Sequence, residues 1–133
     1  MVVGSGMIAN VFKKYKKFDD IVIFASGVSN SKTPSKSDFQ REESLLKKTI
    51  RYNKNKLLVY FSTCGIEDVS INFYPYYSHK LDMESIIQKC CNNFHIFRLP
   101  QVAGTTKNNT FLKFMFDSIL SNRKIELKRY SSR

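Results

Sequence analysis

Ile21-Val22-Ile23-Phe24-Ala25 is the stretch whose reading decides the fold. It is apolar throughout, opened by Asp19-Asp20 and closed by Ser26-Gly27. A strand without alternation is covered on both faces, as in a parallel sheet flanked by helices. Leu57 to Phe61 is a second such run, ending at Ser62-Thr63-Cys64-Gly65, and Phe94 to Leu99 is a further strand, stopped by Pro100. A very short apolar start, Met1-Val2-Val3, runs into Gly4-Ser5-Gly6.

Between these strands the period changes from two to that of a helix. Met7, Ile8, Val11 and Phe12 recur at helical spacing, with Lys13, Lys14, Lys16 and Lys17 on the solvated side. Residues 26–37 are rich in Ser, Lys and Thr with Pro34 and read as a loop. Ser37 and Gln40 form a capping-box pattern. Phe39, Leu46 and Ile50 then mark the inward stripe of a helix to about Arg51. Residues 65–75 read as a loop closed by Pro75. A helix is predicted from about Tyr76 to Cys90, with Leu81, Ile86, Ile87 and Cys90 inward. Thr110 to Leu120 is a further amphipathic helix, and Ile125 to Tyr130 a short final strand. Strands alternating with helices predict an α/β fold, a Rossmann-like three-layer parallel sheet of about 4–5 strands.

Length and composition bound the function. With 133 residues there is room for a single domain over 1–133. Apolar residues at 42% sustain a packed core and exclude global disorder. Lys plus Arg exceed Asp plus Glu by 22 − 11 = 11. That surplus raises nucleic-acid binding, but the cations are dispersed along helices and no nucleic-acid motif accompanies them. A solvated surface accounts for them best, and the functional alternative is attraction of an anionic sugar nucleotide or a polyanion. Cys64, Cys90 and Cys91 are odd in number, which speaks for buried reduced thiols and a cytoplasmic protein. His79 and His95 are too isolated for a metal site. No apolar run approaches the ~20 residues of a membrane span.

Two motifs carry chemistry. Gly4-x-Gly6-x-x-Ala9 follows a strand and opens a helix. Small residues there let the backbone approach a pyrophosphate, and free N–H groups at a helix start face the anion. In Tyr76-Tyr77-Ser78-His79-Lys80, Tyr76 and Lys80 lie four apart on one helix face. An ammonium near a phenol stabilises the phenolate and makes it usable as an acid or base near neutral pH. In this fold class ligands bind beyond the carboxyl ends of the strands. Gly4–Ala9, Ala25–Gly27, Ser62–Gly65 and Pro100–Gly104 share that edge.

In combination these stretches resemble the extended short-chain dehydrogenases/reductases, the NAD-dependent sugar-nucleotide epimerases and dehydratases. Val2–Ala9 resembles the cofactor glycine loop, and Ile21–Ser26 the strand ending beside the cofactor ribose. Tyr60-Phe61-Ser62-Thr63 resembles the strand that ends in the active-site Ser/Thr, and Tyr76–Lys80 the YxxxK helix. Phe97–Gly104 resembles the segment bordering nicotinamide and sugar. The resemblance implies that NAD or NADP is held by Gly4, Gly6, Met7, Ile8, Ala9, Ala25, Ser26, Gly27, Tyr76, Lys80 and Pro100. It implies Tyr76 as the catalytic acid/base, with Lys80 lowering its pKa and holding the nicotinamide ribose. Thr63 would bind the reacting sugar hydroxyl, and Gln101 stands where the family usually has a substrate-touching Asn. The implied chemistry is removal of a hydroxyl proton from a nucleotide sugar with hydride transfer to the cofactor.

The chain also departs from that family. Two strand–helix units usually stand between the glycine loop and the strand at Ile21, and here they are absent. With them goes the adenine side of the pocket. The spacing is GxGxxA rather than GxxGxxG, and most of a substrate lobe is missing, as in a miniature relative or a piece of a longer protein. Three functions therefore stand: a small epimerase/dehydratase-like enzyme, a Rossmann-like binding or assembly subunit without catalysis, and a basic nucleic-acid-binding domain. The exposed edge at Val2-Val3 predicts a second subunit covering it, a homodimer.

Overall fold

Strands β1 (Val2–Val3), β2 (Ile21–Phe24), β3 (Leu57–Thr63) and β4 (Phe94–Leu99) pair in chain order into one sheet, every neighbour parallel. These elements come from a computed structural model that describes residues 1–28, 35–68, 74–100, 102 and 111–125. Helices α1 (Met7–Val11), α2 (Lys36–Tyr52) and α3 (Pro75–Cys90) connect the strands. The result is the α/β, Rossmann-like layout predicted by the apolar runs. The predicted strand at Ile125–Tyr130 lies almost wholly outside the described residues.

The chain divides into two compact units, Met1–Val102 and Ala103–Arg133. The first holds the sheet with α1, α2 and α3. In the second, α4 (Phe111–Leu120) carries an ion pair between Lys113 and Asp117 and exposes Leu112, Phe114, Phe116, Ile119 and Leu120. Asn122, at φ 50°, follows it in the left-handed conformation common where helices end. Among the described residues no helix is long and apolar enough to cross a membrane.

One sheet face makes the core. Val22, Phe24, Leu58 and Tyr60 alternate inward and meet Leu46 and Ile50 of α2 and Met83 and Ile87 of α3. Leu46, Met83 and Ile87 are wholly buried, each worth about 1.5–3 kcal/mol of transfer free energy. The opposite face is covered beside β1 and β2. There Ile23 is buried, and Phe12, just past α1, stacks on Phe61 at 5.5 Å between ring centres. Toward β4 that face opens, and Phe97 is exposed although it stacks on Phe61.

Four local expectations are corrected. The first helix stops at Val11, and Lys13–Lys17 winds on as a 3-10 turn, since no buried apolar residue follows Phe12 on its stripe. The capping box belongs to Ser35 and Asp38, not Ser37 and Gln40. Asp38 N–H donates to Ser35 Oγ at 3.2 Å and Ser35 N–H to Asp38 Oδ2 at 3.1 Å. The buried face of α3 is His79, Lys80, Met83, Glu84 and Ile87, while Leu81 and Cys90 face solvent. Ionisable groups can occupy that face because each finds a partner inside, as described below. The thiols are free, but Cys64 and Cys90 are exposed and Cys91 is only half-buried.

Candidate functional site

The topology sets a switch point between β1 and β2. After β1 the chain crosses the face that carries Phe12 and Phe61, and after β2 it crosses the opposite face, where α2 packs on Tyr60 and Phe24. Adjacent strands whose connections part to opposite faces leave a gap between their carboxyl ends, where ligands of open α/β sheets bind. Here Gly4–Gly6 forms one lip and Ala25–Gly27 the other. Ala25 N–H donates to Val3 O at 2.8 Å, so the lips start in register.

Each glycine at this edge has its own reason. Gly4 sits at φ +122°, and a Cβ there would lie 2.3 Å from Ala25 O, so only glycine lets the turn close on β2. At Gly6 a Cβ would meet nothing within 4 Å. Gly6 is exposed to solvent. Gly6 also caps α1 without a side-chain bond, but α1 has only 5 residues, so its dipole adds little. Met7 and Ile8 are half-buried and Ala9 is buried against the sheet. Ser26 is tied to α2 by Arg41, whose guanidinium donates to Ser26 Oγ at 3.3 Å and Ser26 O at 3.4 Å.

Beneath the second lip lies a buried cluster of ionisable groups. Glu42 of α2 is fully buried and accepts four hydrogen-bonding groups. Lys80 Nζ stands 2.9 Å and Tyr60 Oη 2.8 Å from Glu42 Oε1. His79 Nε2 stands 3.1 Å and the Val28 N–H nitrogen 2.8 Å from Oε2. Lys80 Nζ also donates to Tyr60 Oη at 3.0 Å. Phe39 stacks on His79 at 4.3 Å between ring centres and closes the cluster from outside. Burial alone would raise the Glu42 pKa. The His79 and Lys80 bonds, the lysine charge and the Val28 N–H outweigh it and hold the carboxyl down at about 2. Burial and the adjacent Glu42 charge push the Tyr60 phenol far above its ordinary value. A Cβ on Gly27 would stand 2.9 Å from Lys80 Nζ, so the bare backbone at 27 leaves the ammonium its place.

Tyr76 and Lys80 are brought together, but not as expected. Lys80 Nζ lies 5.8 Å from the Tyr76 ring centre, with its bonds directed to Glu42 and Tyr60. The Tyr76 phenol is accordingly raised rather than lowered. Burial, the Glu42 charge and Tyr77 push it to about 12. Thr63 ends β3, and its Oγ1 accepts from Gly65 N–H at 3.2 Å, which leaves the hydroxyl proton free to donate. Tyr77 packs on Gly65, where a Cβ would be 2.5 Å from its ring. Pro100 follows β4 and is exposed, and Gln101 lies outside the described residues.

A second charged group flanks the site. Arg98 of β4 donates to both oxygens of Glu84 on α3, at 3.1 and 2.8 Å, and to Glu67 at 2.8 Å. Those carboxylates raise the guanidinium pKa further, and Arg98 holds Glu84 low against the burial that would raise it. No group of residues suited to a metal ion occurs among the described residues. A hollow lined by Val22, Thr49, Ile50, Asn53, Leu58 and Cys91 opens at the amino ends of β2 and β3, far from the edge where such sheets hold ligands.

Glu42 and Arg41 are not singled out in the sequence, and Tyr60 enters there only as part of its strand. Glu42 was detectable, because it falls in the gap of the stripe Phe39-x-x-Glu42-x-x-x-Leu46 and a charge there must be paired. The fold defines a parallel α/β protein with a switch point between β1 and β2. The chain matches no protein-family model, no curated protein and no solved structure.

Proposed function

We propose that the chain is a dinucleotide-dependent oxidoreductase of the epimerase/dehydratase type, acting on a nucleotide sugar. What supports this reading is the switch point between β1 and β2, where the connections part to opposite faces and the Gly4–Gly6 and Ala25–Gly27 backbones meet. NAD or NADP bound there supplies hydride acceptance and donation. Gly4, Gly6, Met7, Ile8 and Ala9 line its phosphate side, and Ala25, Ser26, Gly27 and Pro100 border its ribose and nicotinamide. Thr63 orients the reacting oxygen through its hydroxyl. Tyr76 moves the proton at that oxygen, and Lys80 sits beneath Gly27 to meet the ribose. Gln101 contacts the sugar.

Fluorescence and calorimetric titration with NADH test the reading, and saturable binding at sub-millimolar concentration is expected. Tyr76→Phe then lowers turnover by at least about a hundredfold with binding retained. No binding at millimolar cofactor overturns the proposal. A binding or assembly subunit without catalysis is favoured by one observation, the commitment of Lys80 to Glu42 and Tyr60. It differs in outcome, giving cofactor binding with no turnover that Tyr76→Phe could remove. For either reading, the side of β1 away from β2 is where a second subunit would pair.

A further inference from the structure

We infer that the groove between the ends of α2 and α3, at the amino edge of the sheet, binds a small carboxylic acid with an apolar body. Arg51 and Lys54 take the carboxylate, and Ile50, Ile86 and Cys90 take the body. The groove lies at the opposite end of the strands from Gly4–Gly6 and serves whether or not the chain binds a dinucleotide.

The topology places it. Helix α2 leads into β3 and α3 into β4, and both cover the core face of the sheet. Their last turns therefore come down side by side at the amino ends of the strands. Ile86 and Cys90 are one turn apart on α3, and Ile50 faces them from α2. With Lys47, Arg51 and Lys54 they line an open groove of about 420 Å³. Small-molecule sites occupy roughly 300–1,000 Å³. The floor is two isoleucines and a thiol, and the cations all come from α2 and the turn after it.

Charge selects the occupant. Lys47 is paired with Glu43 on its own helix. Among the described residues no carboxylate pairs with Arg51, Lys54 or Lys56. The negative end of the α2 dipole accounts for Arg51 in the last turn. It does not account for Lys54 and Lys56, which stand beyond the helix end. A ligand carboxylate supplies the missing charge, and the planar guanidinium of Arg51 matches its two oxygens. The aliphatic floor asks for more than a charge, since an apolar body laid on it removes both surfaces from water. Single-stranded nucleic acids stack on aromatic faces, and this floor has none.

The experiment separates charge from body. The whole chain, labelled with nitrogen-15, is titrated by NMR with naphthalene-2-carboxylate. Naphthalene-2-methanol, the body without the charge, and acetate, the charge without the body, are titrated in parallel. Saturable shifts confined to the ends of α2 and α3 are expected, with the acid binding at least about tenfold more tightly than either control. Arg51→Gln is expected to weaken the acid at least about fivefold, because a charge-assisted pair is lost. Lys16→Gln, on the 3-10 turn after α1, is expected to leave it unchanged. Both side chains are exposed, so neither change threatens the fold. Cys90 gives a second readout. Bound acid is expected to slow its alkylation by iodoacetamide several-fold and to spare Cys64, at the other end of the strands. Absence of saturable shifts at about 5 mM acid overturns the inference. Equal affinity for the alcohol overturns it too, as does a single-stranded oligonucleotide that displaces the acid at physiological salt.

Discussion

Glu42 shows what a single residue does in this molecule. Its carboxyl joins α2, α3, β3 and the loop after β2 through Lys80, His79, Tyr60 and Val28. Its folded pKa, about 2, lies below the ordinary 4.5. An unfolded chain therefore takes up a proton at Glu42 before the folded chain does. The stabilisation is fully present above 4.5 and is lost as pH falls through 2, and it is on the order of 3 kcal/mol. Urea unfolding between about pH 6 and pH 2 is expected to show wild type losing this increment while Glu42→Gln lacks it. Parallel loss in both proteins would exclude Glu42 as its source. At this scale the sequence was partly legible. Tyr76 and Lys80 were found by their spacing, but spacing along one helix says nothing of a carboxylate arriving from another. That carboxylate decides where the lysine charge goes.

At the scale of elements the apolar runs were the reliable signal. Three consecutive hydrophobic segments became β2, β3 and β4 within a residue or two of their expected ends. Helix starts were harder, because Ser35 and Ser37 both look like caps. The backbone chose Ser35, since Asp38 three residues on can return the bond to the Ser35 N–H. Ser35→Ala is expected to cost about 1 kcal/mol in chemical denaturation, and Ser37→Ala a few tenths. Equal costs would show that the box adds nothing. Of the inward face of α3, hydrophobic spacing found Ile87 and, in part, Ile86. Two of its buried residues, Lys80 and Glu84, are tolerated only through Glu42 and Arg98 on other elements.

At the scale of the whole molecule, the sheet keeps chain order with β1 at one end. Among the described residues no strand pairs with β1 on its far side, and an open edge favours pairing with another chain. Sedimentation at high micromolar concentration is expected to give a dimer, and proline at Val2 to shift it toward monomer. A strictly monomeric wild type would remove that interface. The parallel layout was legible because continuous apolar strands need cover on both faces. The placing of each connection over one face or the other was not, because it depends on contacts such as Phe12 on Phe61 that link distant parts of the chain. Those faces fix something further. The steps from β2 to β3 and from β3 to β4 run over one face in one direction, so they share a hand, and such crossovers are right-handed in about 98% of cases. The step from β1 to β2 runs in the same direction over the other face, so its hand is opposite. A crossover of opposite hand, only 17 residues long, residues 4–20, sets β1 apart from the other three strands, whose connections lie over one face.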